Sequence, residues 1–196
     1  MKRKCRLAIF ASGNGTNLEA LLKALCGGRV RAECVLAFSD RPGARALTRA
    51  RRFGVPTQTL ERKAFASKAA HERAIRALLD EKKVDVIALA GYMRILSPAF
   101  VRAYRNRILN VHPALLPAFP GAHAIRDAYR AKVKTTGVTV HVVTAQVDAG
   151  PIVAQRAVRI RRGESLASLE QRIHRVEHHL YPRALKRFVE GRLQKG

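Results

Sequence analysis

The sequence contains no tryptophan, and only 14 of its 196 residues are acidic. Aromatic residues make up 6% of the chain and form no stripe of the kind on which single-stranded nucleic acids stack. Cysteine is scarce: Cys5, Cys26 and Cys34 form no CxxC pair and no zinc spacing, and their number is odd. That excludes a disulfide scaffold and points to reduced thiols in a cytoplasmic protein. No apolar run approaches the roughly 20 residues needed to span a bilayer. The basic start Met1–Lys4 precedes an apolar run that already ends at Ser12-Gly13-Asn14-Gly15. This is too short for a signal peptide and reads as a first strand. Repeats, low-complexity linkers and domain boundaries are all missing, so 196 residues, 47% of them hydrophobic, read as one globular domain.

Positive charge is what the chain has in excess. Lys and Arg number 38, for a net charge of +24. An imbalance of that size favours polyanionic company, either nucleic acid or small substrates carrying phosphates and carboxylates. The basic residues are scattered along the chain without a basic tail, which indicates solvated faces. Nonspecific nucleic-acid binding at low salt is the expected by-product.

Read in order, Arg6–Ala11 reads as a strand, apolar at every position after Arg6, as a buried parallel strand should be. The turn Ser12–Asn17 follows, and then Leu18, Leu21, Leu22 and Leu25 recur at helical spacing. The turn is neither a dinucleotide fingerprint nor a P-loop, and suits a phosphate on a smaller ligand. The plain alternative is a tight turn with Thr16 or Asn17 capping the helix. Glu33–Phe38 reads as a second strand and is followed by a basic helix through Arg52. Ser67–Lys83 reads as a helix with Ile75, Leu78 and Leu79 inward, and Val84–Ala90 as a strand. Pro98 suits the first turn of a short helix. The alternation predicts an α/β, Rossmann-like three-layer sandwich with a mostly parallel sheet. Ala122–Ala131 is a further predicted helix and Thr135–Thr144 a strand. Ile152–Ile160 is expected to run antiparallel to its neighbour. A closing helix from about Ser165 carries Leu166, Leu169, Ile173, Val176 and Leu180 on one stripe, with Pro182 expected to kink or interrupt it.

Between these elements lies Ile108-Leu109-Asn110-Val111-His112-Pro113. On a strand Asn110 and His112 share a face, and Pro113 puts them at its carboxyl end, where open α/β sheets bind ligands. Alone, the pair fits either a catalytic amide and imidazole or a His that hydrogen-bonds a loop.

Taken together, Ser12–Leu18, Leu89–Leu96, Asn110–Pro117 with Pro120-Gly121, and Val147–Pro151 resemble the phosphoribosylglycinamide formyltransferase family, in order and spacing from about residue 6 to 192. The resemblance implies transfer of a formyl group from 10-formyltetrahydrofolate, a co-substrate, to the amine of glycinamide ribonucleotide in purine synthesis, without a metal. It implies catalysis by Asn110, His112 and Asp148. Amine attack on a formyl carbon places charge on oxygen, and Asn110 and His112 would stabilise it. Asp148 would raise the His112 pKa and orient the ring; its plain alternative is a turn residue before Gly150. The same resemblance implies ribotide contacts from Gly15, Thr16, Asn17 and Glu177, and folate contacts from Lys68, Met93, Arg94, Ile95, Leu96 and Asn110. The half up to about residue 100 would hold the ribotide, and residues 101–196 the folate and the catalytic groups.

Glu177 could equally be an exposed helix carboxylate, and Met93–Leu96 a core turn. His141 reads as packing; His71, His123, His174, His178 and His179 read as surface. Lys68 stands where the family is expected to carry Arg, keeping the charge but losing the two-pronged fork. Ala114, Ala118 and Ala145 also depart from the family pattern, and the chain ends early at Gly196. The resemblance implies small-molecule substrates, no membrane and a monomer or homodimer. Two alternatives are a methionyl-tRNA formyltransferase-like enzyme, for whose tRNA-binding domain no residues remain, and a basic nucleic-acid-binding protein on the same scaffold.

Overall fold

The computed structural model describes residues 3–193. A seven-stranded sheet with order β3-β2-β1-β4-β5-β6-β7 forms the middle layer. β1 (Cys5–Phe10), β2 (Ala32–Ser39), β3 (Thr57–Thr59), β4 (Val86–Leu89) and β5 (Ile108–His112) run parallel. β6 (Thr135–Val142) is antiparallel to both β5 and β7 (Ile152–Arg159). Among the described residues β6 is thus the only strand reversed against the rest, and β7 has the expected relation to its neighbour. The short edge strand β3 was not foreseen, because Thr57-Gln58-Thr59 carries no apolar pattern.

From Leu7 onward β1 is apolar at every position because helices cover both its faces. Leu7 and Ile9 enter one core with Leu18, Leu21 and Leu22 of α1 (Thr16–Cys26), and with α2 (Arg45–Arg52) and α6 (Leu166–Leu193). Ala8 and Phe10 enter the other with Ile75 and Leu79 of α3 (Lys68–Glu81), and Phe100 and Val101 of α4 (Pro98–Ala103). The alternation has the period of two that a strand imposes. β4 divides in the same way, with Val86 and Ala88 on one side and Ile87 and Leu89 on the other. A seventh helical segment besides α5 (Ala124–Arg130) is a single 3-10 turn at Arg62–Ala64.

α6 corrects the expectation of an interruption at Pro182. It runs as a helix of 28 residues through Pro182 without interruption. The missing proline N–H removes one rung of the ladder, yet Tyr181, Ala184 and Leu185 around it are fully buried and anchor both sides. The Tyr181 hydroxyl reaches across the sheet to donate to the carbonyls of Leu89 (3.0 Å) and Leu109 (3.2 Å). It therefore holds β4 and β5 at the level of Asn110. Burial drives the Tyr181 pKa well above the ordinary phenol value, so it stays a donor. Tyr181→Phe should cost about 1–3 kcal/mol by leaving carbonyls short of a partner, read as a lower urea midpoint with unchanged slope.

His71 and Glu72 are buried, not surface-exposed, within α3. His71 Nε2 contacts Leu60 O at 2.8 Å, and Glu72 accepts the Ser97 N–H and hydroxyl that open α4. The pattern of α3 concealed this, because polar residues on an inner face break the apolar stripe. No helix among the described residues is long and apolar enough to cross a membrane.

Candidate active site

Strand register brings four loops together. Phe38, Phe10, Leu89 and Asn110 lie in one row across β2, β1, β4 and β5. Two residues further along each chain come Asp40, Ser12, Gly91 and His112. The cleft at these carboxyl ends is where open α/β sheets place ligands.

His112 is 4% exposed and its ring is held from both ends. Nε2 lies 2.8 Å from the carbonyl of Phe119, and Nδ1 lies 3.4 Å from Asp148 Oδ2. Both neighbours are acceptors, so the ring has a place for a proton on either nitrogen. Asp148 also accepts the Gly121 N–H (2.8 Å) and lies 3.5 Å from His141 Nε2. The His141 imidazole, with the Gly121 N–H and the charge of His112, lowers the Asp148 pKa to about 2 against the opposing effect of burial. The carboxylate is therefore ionised at any pH near neutrality. Its backbone is in the left-handed region (φ 52), which Asp tolerates better than most residues. Gly150 closes the same loop, and a Cβ there would sit 1.7 Å from the Val142 carbonyl.

His141, which reads from the sequence as packing, lies against Asp148 and Asn110. It is 2% exposed and pairs across the sheet with Asn110. Its Nδ1 faces the Val142 carbonyl, and Nε2 lies 3.2 Å from Asn110 Nδ2. A bare Nε2 accepts from Asn110; a protonated one donates to Asp148. The signal was available only as β5–β6 register, which one sequence does not supply. Asn110, half-buried, shares a face with His112 as the alternation predicted.

The turn before α1 opens the helix without a side-chain cap. Its N-cap is Gly15 (φ 76), so neither Thr16 nor Asn17 plays the capping role. No N-cap side chain takes up the first-turn N–H groups, and with the positive end of the helix dipole they suit an anion. A Cβ on Gly15 would lie 2.5 Å from Ala46 Cα and Cβ. Gly15→Ala should therefore cost about 2–4 kcal/mol from the left-handed backbone and the clash together, measured by chemical denaturation.

Glu177 is buried at 3% exposure, contrary to the reading of it as an exposed carboxylate. It accepts from Asn17 Nδ2 at 2.8 Å and contacts His174 Nδ1 at 2.9 Å. That contact raises the His174 pKa, and His174 is exposed as expected. His178 is half-buried, not on the surface, and desolvation lowers its pKa; His123 and His179 are exposed.

Lys68, Met93, Arg94, Ile95 and Leu96 line one cleft of about 320 Å³ with Arg62, His71, Glu72 and Tyr92. Met93 (61% exposed) and Ile95 (66% exposed) form its apolar lip, so these two are not core; Leu96 beneath them is buried. Arg62 adds a second cation beside Lys68 that the motifs did not single out. The residues read as folate-contacting thus come mostly from the first hundred, while Asn110 and the catalytic group come from beyond. Among the described residues no group of three or more His, Cys, Asp or Glu side chains is arranged to hold a metal ion.

Comparisons with known proteins agree with this architecture. Residues 5–185 match the family described as formyl transferase. The phosphoribosylglycinamide formyltransferase of Bacillus subtilis is 44% identical over 184 residues, 94% of each chain. The human trifunctional purine biosynthetic protein adenosine-3 is 38% identical over 195 residues, all of this chain and 19% of that one. The crystal structure of glycinamide ribonucleotide transformylase 1 from Symbiobacterium toebii superposes with a TM-score of 0.95 at 43% identity, covering 98% of this chain and 91% of that one.

Proposed function

This chain belongs to the formyl transferase family, and we propose that it transfers the formyl group of 10-formyltetrahydrofolate to the amine of glycinamide ribonucleotide in purine biosynthesis. The observation that carries this reading is the meeting of Asn110, His112 and Asp148 beside both an anion-binding turn and an apolar-lipped cleft.

The ribotide phosphate sits on the turn Gly15–Asn17 and the α1 N-terminus, with Glu177 fixing Asn17. The folate lies in the cleft lined by Lys68 and Met93–Leu96, its anionic end toward Lys68 and Arg62. The substrate amine attacks the formyl carbon, and the carbonyl oxygen becomes an oxyanion. Asn110 Nδ2–H and a His112 N–H stabilise that oxygen. The Nε2–H that now faces Phe119 O is the donor the oxyanion takes over. The tetrahedral species collapses by breaking the bond to the folate nitrogen. The attacking amine's proton leaves, and the departing nitrogen gains one, with His112 as the carrier. Asp148, an ionised carboxylate between His112 and His141, holds the ring in place and balances its charge.

Tetrahydrofolate release from 10-formyltetrahydrofolate tests this directly. Turnover is expected with glycinamide ribonucleotide and not with initiator methionyl-tRNA. Turnover only with the charged tRNA would overturn the substrate assignment.

A further inference from the structure

A further buried carboxylate lies beside the site and takes no part in the chemistry above. Asp40, 4% exposed, follows β2 in the row that also holds Ser12 and Gly91. Its Oδ1 accepts the Ser12 hydroxyl at 2.5 Å, and its Oδ2 accepts Arg94 Nε at 2.7 Å. A serine hydroxyl has one proton to give. Since Ser12 gives it to Asp40, its oxygen is left to accept, and it does so from the Met93 N–H at 2.9 Å. The relay therefore has one direction, from Met93 through Ser12 to Asp40, and Asp40 sets it.

We infer that Asp40 is a positioning residue that locks the Met93–Leu96 segment against the Ser12–Asn17 turn. The two segments assigned to different substrates thereby share one anchor. Met93 and Ile95 project their side chains outward, so the cleft's lip is held by its backbone, and the Met93 amide is part of that hold. An acceptor for Ser12 is all the core itself requires. The second oxygen instead reaches Arg94, whose side chain is 44% exposed at the cleft. A contact between a buried carboxylate and a partly exposed guanidinium there adds little to folding, but it fixes where the lip stands.

The role rests on the proposed transfer reaction only for its kinetic readout; amide exchange reads it independently. In Asp40→Ala and Ser12→Ala the Met93 amide should exchange about tenfold faster or more, the equivalent of one lost hydrogen bond. The KM for the folate should rise about tenfold in Asp40→Ala, with kcat at saturation within about threefold. Asp40→Asn keeps an acceptor for Ser12 and loses the charge, so it should restore Met93 protection while keeping the raised folate KM. Arg94→Gln should match Asp40→Asn, and the double variant should be no worse than either. Should Asp40→Ala fail to fold, Asp40→Asn, Ser12→Ala and Arg94→Gln decide the question. Unchanged Met93 exchange and unchanged KM in folded variants would overturn the role of Asp40 alone. A wild-type protein inactive on the ribotide would instead count against the proposed reaction, with the exchange result still deciding Asp40.

Discussion

Replacing His112 by alanine is expected to lower kcat for formyl transfer by about 10²–10⁴-fold. The loss combines an oxyanion donor with the proton carrier, and it appears in kcat more than in KM because both roles arise after binding. Stability should fall by only about 1–3 kcal/mol, since removing the ring strips a partner from Phe119 O and Asp148. Steady-state rates with both substrates saturating, alongside a denaturation curve, separate the two effects. Imidazole added to the buffer should recover part of the rate if the missing function is proton transfer. Wild-type turnover in the folded variant would remove His112 from the mechanism.

Asp148→Asn is the second large effect. Asparagine tolerates the left-handed backbone of position 148 and can still accept the Gly121 N–H, so the loop should persist. The negative charge between the two imidazoles is lost, and kcat should drop about 10²–10³-fold. The pH dependence of stability supplies a separate check. The carboxyl pKa is depressed to about 2 in the folded protein and returns to about 4 in the unfolded chain. Its stabilisation is therefore fully present above the unfolded value and lost as pH falls through the folded one. The stability gap between wild type and Asp148→Asn should therefore shrink as pH falls between about pH 4 and 2. A gap independent of pH across that range would mean the carboxylate gains nothing from its neighbours.

The sequence disclosed the strands other than β3, and the polar pair on β5, because each signal is local. A run such as Leu7–Ala11 is apolar at every position only if both faces are covered, and helices on the two sides of the sheet cover them. Asn110 and His112 share a face by alternation alone. What it hid depends on pairing between distant segments. His141 reaches the site through its register with Asn110, and Asp40 through the meeting of three strand ends. For Glu177 a ribotide contact and an exposed helix carboxylate stood level until its partner, 160 positions earlier, was in place. Thr16 and Asn17 are good capping residues by type, yet the turn closes on Gly15 because Ala46 packs against it. Chemical type proposed the roles, and packing chose among them.

The bond from Asn17 to Glu177 also sets a schedule for the newborn protein. At about 5–20 residues per second, a ribosome makes Glu177 roughly 10–30 s after Asn17. For that interval β1, α1 and the turn between them exist without the acidic residue that orients Asn17, and without Tyr181 to hold β4 beside β5. In the proposed reading, ribotide recognition is thus completed by α6, the last helix among the described residues, and a chain stalled before it would carry His112 but no finished site for its substrate.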